Sequence, residues 1–516
     1  MALRALINQY PLTFILILGF LMRIIASTYS TGYLMHDDHF LVVETGASWA
    51  VGEDYNNWLP AGQLKQGIAN PTPHQANLAY PGIVSGFFRV CNALNITHPQ
   101  TQMWWLRFLH GIYSLLLVFF AFNIAQRLAG RTPAIWSALA LASFGLFPML
   151  GVRQLIEMAC IAPLLWSAWV VVRHDPEKRT WKTWGLAGIG IGLATALRYQ
   201  CGVFGLGWVI ALFIAESNWK KAMGHSAVMG ITAIGVFFLG QIQDWIIWGT
   251  PFAQLRAYIE YNMSHSGEYP QGQWHQYLWV VIGLLIPPFS FAWLFGTIRE
   301  WKRLAYLVIP AVAFFVFHSV FPNKQERFIL PAIPFFIIAG SIGWHAFEKQ
   351  SQFWMQRRTL RKLLVGLGVG LSLCLGFTLC FIQPKHSRVQ AMNVLFEQGD
   401  LENFLMVHTG SGGMPPQFYS GSWSKYWTSD LSTDVLNHRQ VMCNSPKYTF
   451  PNYIVFSGDE HLGEGVAQYQ EVYPSMEYIG QAPPSKWDRF LSYLNPHNAS
   501  ERFMIYRISS ESECNP

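Results

Sequence analysis

Charge is scarce in this chain: only 12% of its 516 residues are Asp, Glu, Lys or Arg, against 52% hydrophobic and 16% aromatic. A soluble globular domain carries about a quarter of its residues as charges, so that class is excluded. Cysteine is sparse too, seven in all, and no two of them sit at the short spacing a structural zinc site needs. Cys160, Cys201, Cys374 and Cys380 fall inside apolar runs and read as packing residues. Among Cys91, Cys443 and Cys514, one pair such as Cys443 with Cys514 would bridge in an oxidising compartment, leaving the third free.

What the chain does have is long apolar stretches. They recur over most of its length, many of them roughly 18 to 25 residues, enough to cross a hydrocarbon core as a helix. They are too many for a signal peptide. Runs near residues 10–28, 104–126, 134–150, 157–172, 184–197, 199–215, 222–246, 276–298, 304–321, 328–347 and 363–382 predict a multi-pass α-helical membrane protein with about eleven spans. Two of the runs are rich in glycine, which allows close helix packing.

Basic residues fall in alternate loops: Arg127 and Arg131, the Arg173 to Arg179 cluster, Lys220 and Lys221, Arg299 to Arg303, and Arg357 to Lys362. Such loops mark the cytoplasmic side. The first loop (29–100), the 248–275 loop, the 322–327 link and the C-terminal portion then share the opposite face. The net charge is +6, yet residues 384–516 hold 9 basic against 14 acidic residues, leaving 26 against 15 elsewhere. The basic excess therefore reports orientation and gives no support for nucleic-acid binding. From about residue 385 the pattern turns to short runs such as Tyr453-Ile454-Val455-Phe456 and Phe503-Met504-Ile505-Tyr506, predicting a small extracytoplasmic α/β or β-rich domain. The expected organisation is a membrane domain over 1–383 and this domain over 384–516.

Where the first span should leave the bilayer stands His36-Asp37-Asp38-His39-Phe40. Charge at a membrane boundary loses hydration, so an acidic pair there points to function. Partial desolvation raises the proton affinity of an aspartate toward that of a useful general base, and Asp37 is the better placed of the two. Both also suit the first turn of a helix as caps. Four consecutive residues wrap one metal ion poorly, which argues against a metal site.

The second feature is the hairpin Asn323-Lys324-Gln325-Glu326-Arg327-Phe328, between two apolar runs. Lys324 and Arg327 lie there against the usual charge bias, where they suit a lipid-borne phosphate or a local ion pair with Glu326. Arg153 and Glu157 stand at helical i,i+4 spacing, so a mutual pair competes with substrate contact, while Arg198 has no local partner. A loop carrying Tyr261, Asn262, Trp274 and His275 offers stacking faces and amides that suit a sugar or an interfacial anchor.

Taken together these positions resemble glycosyltransferase family 22, the polyprenol-phosphate-mannose-dependent mannosyltransferases of the C-type glycosyltransferase (GT-C) fold, which include the glycosylphosphatidylinositol mannosyltransferases. The family's Pro-Asp-Glu motif followed by an aromatic or His and then Phe matches His36 to Phe40, with Glu44 at the later acidic position. Its His-Lys-Glu-x-Arg-Phe motif matches Asn323 to Phe328, with Asn323 and Gln325 departing from it as Asp38 departs from the first. No Thr-Trp-Glu segment is found in the first loop.

The resemblance implies mannose carried on a polyprenyl (dolichyl) phosphate as donor and a hydroxyl of an extracytoplasmic glycan or glycolipid as acceptor. It implies neither metal nor cofactor. Asp37, with Asp38, would carry the catalysis; Lys324, Arg327 and Arg198 would hold the donor phosphate; His36, His39, Glu44, Arg153, Glu157, Tyr261, Asn262, Trp274, His275, Asn323 and Gln325 would line the substrates. The membrane would be that of the endoplasmic reticulum in a eukaryote or the inner membrane in a bacterium. The rival readings are a GT-C enzyme with another sugar or acceptor and, from a different class, a lipid or sugar transporter. Charges gathered on one face, without repeated broken helices, argue against transport.

Overall fold

The computed structural model describes residues 6, 8–265, 267, 268, 271–410, 413–445, 449–458, 461–495, 501–509 and 514. Helices form at every one of the apolar runs. Among the described residues five are long and apolar enough to cross a membrane: Pro11–Tyr29, Pro99–Ala129, Trp219–Trp248, Glu326–Gln350 and Arg358–Leu379. A sixth arises if Gln276–Leu284 and Phe289–Arg299, bent by 117°, count as one span.

Part of the difference from eleven is length, since Ile156–Val172, Tyr199–Ala215 and Ala305–Val320 are apolar but shorter than 18 residues, and part is local breaks. The 134–150 run ends as a helix at Ser143, where Phe144 turns extended, and resumes only over Phe147–Leu150. The 276–298 run breaks before Pro287 and Pro288, which cannot donate backbone hydrogen bonds to a continuing helix. The bulky apolar residues of the long helices Trp219–Gly240 and Arg358–Leu379, such as Ile231 and Leu367, are largely exposed, as lipid-facing residues must be.

By contact density the chain forms two compact units: Met1–Thr28, Asn57–Gly82 and Leu106–Phe381 make the first, and Tyr29–Asn56, Ile83–Trp105 and Ile382–Pro516 the second. In the first, glycines let helices touch. A Cβ on Gly190 of Trp181–Leu197 would overlap the Ser167 hydroxyl and the Pro163 carbonyl, and one on Gly296 would overlap the Gly340 carbonyl. Close approach of this kind, with its dense van der Waals packing, holds helices together where lipid removes the hydrophobic drive. Arg23, inside the first span, is fully buried and donates to Ser114 Oγ and to the carbonyls of Gly19, Ala142 and Leu141. It thereby caps carbonyls at the end of Arg131–Ser143 that water cannot reach.

The second unit contains a five-stranded sheet: β1 (Phe404–His408), β2 (Trp427–Asp430), β3 (Tyr453–Gly458), β4 (Glu477–Ala482) and β5 (Arg502–Arg507), in the order β2-β1-β3-β5-β4. β1 pairs in parallel with β2 and β3; β5 runs antiparallel to β3 and β4. The α/β reading of this region holds. Leu405, Val407, Ile454, Phe456, Tyr469 and Tyr506 build its core, closed by helices Val435–Cys443 and Leu462–Val472.

Cys443 and Cys514 are joined by a disulfide, and Cys91 remains free and buried. The bridge closes a loop of 71 residues. Cys443→Ser should therefore cost the sheet domain about 2–4 kcal/mol, read as a lower melting transition that reductant no longer shifts.

Candidate functional site

In the second unit the acidic motif sits on a compact turn of backbone. The chain reaches it through Gly32, at φ +79°, where a Cβ would collide with the Pro384 carbonyl, so only glycine fits this approach. The short helix His36–Asp38 follows, and the Asp38 carboxylate accepts hydrogen bonds from the Leu34 and Met35 backbone N–H groups at 3.2 and 3.1 Å. Asp38 is buried and does the work of a cap, the second of its two readings. Asp37 beside it is half-buried, and His36 is exposed and stacks on Phe40.

A π-helical turn, His39–Glu44, comes next, a geometry that clusters at functional sites. His39 is wholly buried, its ring stacked on Tyr33 at 4.8 Å and on Tyr419 at 5.4 Å. Its Nε2 is hydrogen-bonded to Glu44 Oε1 at 2.9 Å. Glu44 is fully buried, and both its oxygens accept from the Phe418 backbone N–H, at 3.0 and 3.1 Å. His39 and Glu44 are thus buried ties between the acidic segment and the turn Gln417–Ser420, away from the solvent where a bound sugar would be met. Arg388 adds a second tie: it pairs with Glu501 at 2.8 Å and donates to the Tyr33 hydroxyl at 3.3 Å. Lys385 donates to the Leu34 carbonyl at 3.2 Å.

Burial raises the proton affinity of Glu44, against the opposing pull of His39 and the Phe418 N–H. Burial also pushes Tyr33 up to about 12, with Arg388 opposing. Because the folded value of Glu44 exceeds its unfolded one, this carboxyl favours the folded state fully below the ordinary glutamate range. That contribution is lost as pH rises through the raised folded value. Glu44→Gln should flatten this part of the stability-against-pH curve, measured by thermal melting between pH 4 and 8; an unchanged slope would contradict the assignment.

The first unit holds Arg153, Arg198, Lys324 and Arg327. Because the helix Ile156–Ala159 begins only after Arg153, the i,i+4 spacing has no helix to act through for Glu157. Its Oε1 instead meets Arg198 Nη1 at 2.6 Å and Arg327 Nε at 3.5 Å. All three side chains are buried, and both guanidinium groups lie over the Phe328 ring, at 5.1 and 5.6 Å. Arg327 also donates to Gln325 Oε1 at 2.5 Å. One carboxylate and one aromatic face therefore orient two arginines together, a fork geometry that suits oxyanions. Arg153 is buried in the same unit.

Lys324 is buried and tied to backbone carbonyls. Glu326 is exposed, and the Lys324 ammonium donates to the carbonyls of His318, Ser319 and Phe321, closing the C-terminal end of Ala305–Val320. Burial lowers its proton affinity. Asn323 is buried and bridges in antiparallel fashion to Gln271, and the Gln325 backbone is held on both sides by the Tyr277 hydroxyl at 3.1 Å.

The aromatic loop is less concentrated than its sequence suggests. Tyr261 stacks on His265, Asn262 donates to the Tyr258 carbonyl, and Trp274 is exposed with His275 at its edge. Residues 269 and 270 lie outside the described residues. The polar contact that sequence reasoning missed is Gln200 donating to the Tyr258 hydroxyl. Tyr258 lies close enough to Arg198 and Glu157 to feel both charges. Only the run of tyrosine and amide residues hinted at it. Among the described residues no group of three or more His, Cys, Asp or Glu side chains is arranged to hold a metal ion.

A helical membrane unit with clustered arginines, joined in one chain to a small sheet unit, defines a GT-C-like glycosyltransferase fold. The chain belongs to the Alg9-like mannosyltransferase family, whose profile matches residues 71–405. Among solved structures it is similar to ArnT from Cupriavidus metallidurans in the apo state, at 12% identity and a TM-score of 0.60 over 99% of each chain. It is likewise similar to the same protein bound to undecaprenyl phosphate, at 13% identity and 0.58, covering 98% of this chain and 99% of that one. The Archaeoglobus fulgidus oligosaccharyltransferase AglB, in complex with an inhibitory peptide and a dolichol-phosphate, matches at 11% and 0.50, over 93% of this chain and 75% of that one. At these identities the likeness is one of fold. No curated protein sequence matches the chain.

Proposed function

We propose that this protein transfers mannose from a polyprenyl phosphate to a hydroxyl of a glycan or glycolipid, with inversion at the anomeric carbon. The observation that carries the reading is the buried Arg198–Glu157–Arg327 cluster in a chain of a mannosyltransferase family. A phosphate leaving group develops charge as the sugar departs, and oriented guanidinium groups in a dry site stabilise that charge strongly. ArnT, similar in fold, is a protein seen with undecaprenyl phosphate.

In this scheme Asp37 accepts the proton of the acceptor hydroxyl as its oxygen attacks the anomeric carbon. The bond to the lipid phosphate breaks in the same step, and the phosphate leaves toward Arg198 and Arg327. Lys324, committed to a helix end, contributes its charge at longer range. Asp38 holds the helix that presents Asp37. Gln200, Tyr258 and the Trp274 to His275 edge serve the sugar.

We further infer about eleven spans, with the shorter helices completing the set, a catalytic region over 1–383, and an active site and C-terminal domain on the extracytoplasmic face. The Cys443–Cys514 disulfide supports an oxidising side for that domain. In a eukaryote this is the lumen of the endoplasmic reticulum, in a bacterium the outer side of the inner membrane.

The test is transfer in proteoliposomes from polyprenyl phosphate carrying radiolabelled mannose to a panel of glycolipid acceptors. Label in an acceptor supports the enzyme. Label that only crosses the membrane, or stays on the donor with every acceptor, rejects it.

A further inference from the structure

The helix Lys486–Leu494 of the second unit has a face that the described residues of its domain leave exposed. Phe490, Tyr493 and Leu494 are 49%, 85% and 62% exposed, and the half-buried Trp487 ring lies 5.9 Å from Phe490. Positions 487, 490, 493 and 494 recur at three- and four-residue intervals, so the four side chains form one stripe along the helix. Its opposite side is anchored in the domain through Asp488, which is buried.

The helix starts close to where the chain leaves its last long apolar helix. Ser485 Oγ donates to the Gln383 carbonyl at 3.0 Å, and the Asp488 carboxylate accepts from the Lys385 and His386 N–H groups at 2.7 and 3.3 Å. The candidate span Arg358–Leu379 ends four residues before Gln383. Even fully extended, four residues reach only about 15 Å, so the helix N-terminus is bound to the neighbourhood of a membrane boundary.

Charge agrees. The C-terminal portion is acidic overall, yet the charged residues of this helix left in solvent, Lys486 and Arg489, are both basic. The one acid, Asp488, is spent on backbone N–H groups. An aromatic stripe flanked by basic residues is the composition of a helix that lies in the plane of a bilayer interface.

We propose that Lys486–Leu494 is an interfacial helix whose occupant is the lipid surface itself. The Trp487, Phe490, Tyr493 and Leu494 face enters the boundary between headgroups and acyl chains, and Lys486 and Arg489 meet lipid phosphates. This inference rests on the membrane-embedded fold and does not depend on the transferase reading.

The test uses the full chain in vesicles of phosphatidylcholine and phosphatidylglycerol, with an NBD label on Tyr493→Cys in a Cys374→Ala background. The reference is the same label on Glu464→Cys, a solvent-exposed position on helix Leu462–Val472. Acyl-brominated lipid should quench the label at 493 by about twofold or more, with blue-shifted emission, and leave the label at 464 unchanged. Equal, water-like behaviour at both positions overturns the proposal. Blue-shifted emission at 493 without bromolipid quenching also overturns it, because the cover is then protein, such as a second copy of the chain.

Discussion

Asp37→Asn is expected to lower turnover by about 10²–10⁴-fold while expression and donor binding persist. The substitution keeps shape while removing the charge and basicity of the carboxylate, and Asp37 is half-buried at the start of a short helix where Asp38 accepts the backbone N–H bonds of Leu34 and Met35. Asp38→Asn makes the useful contrast. It weakens two backbone hydrogen bonds and should cost about 1 kcal/mol of stability with a much smaller loss of turnover. Rates of mannose transfer by the two variants, with melting curves for each, separate proton acceptance from support. Unchanged turnover in Asp37→Asn would remove the base assignment.

The second large effect concerns Arg327. Arg327→Ala should raise the KM for the polyprenyl phosphate donor by about 10–100-fold, the loss expected for a charge-assisted hydrogen bond, and leave the acceptor KM nearly unchanged. Arg327→Lys should recover little, since a point charge cannot share both the Glu157 oxygen and the Phe328 face as a planar fork does. Glu157→Ala removes the carboxylate that orients both arginines and leaves buried positive charge behind, a change that costs about 3–5 kcal/mol in such settings. Its readout is a fall in melting temperature with loss of activity. A variant of Arg327 that changes the acceptor KM instead would move the phosphate elsewhere.

Much of this was legible in the sequence because it is local. The acidic motif, the Lys324 to Arg327 hairpin and the positions of the helices follow from residues adjacent in the chain, and the change of pattern near 385 announced the sheet. What escaped depends on partners far apart. Arg198 looked solitary and Glu157 stood open between Arg153 and a substrate, yet tertiary packing joins Glu157 to Arg198 and Arg327. Glu44 carried the family position of a substrate contact, but its oxygens are taken by a backbone N–H that lies 374 residues away. Lys324 shows the reverse: its partners are only three to six residues away, but they are carbonyls at a helix end, and a reading of charges alone passes over them. Arg23 went unnoticed for the same reason, its acceptors being Ser114 and backbone carbonyls.

The acidic segment also belongs, by packing, with the sheet. Residues 29–56 cluster with 382–516, and Glu44, Tyr33 and Gly32 each meet a residue of the C-terminal portion. A domain boundary drawn along the sequence at the end of the last span separates these partners. Changes in the C-terminal portion, at Arg388 for example, are therefore changes in the support of the acidic motif.

The central claim is that an acceptor hydroxyl, deprotonated at Asp37, displaces the lipid phosphate in a single step. The configuration of the new glycosidic bond, determined by NMR on product made from a donor of known anomeric form, tests it most directly. The account predicts complete inversion. Retention would require a glycosyl-enzyme intermediate and would contradict it.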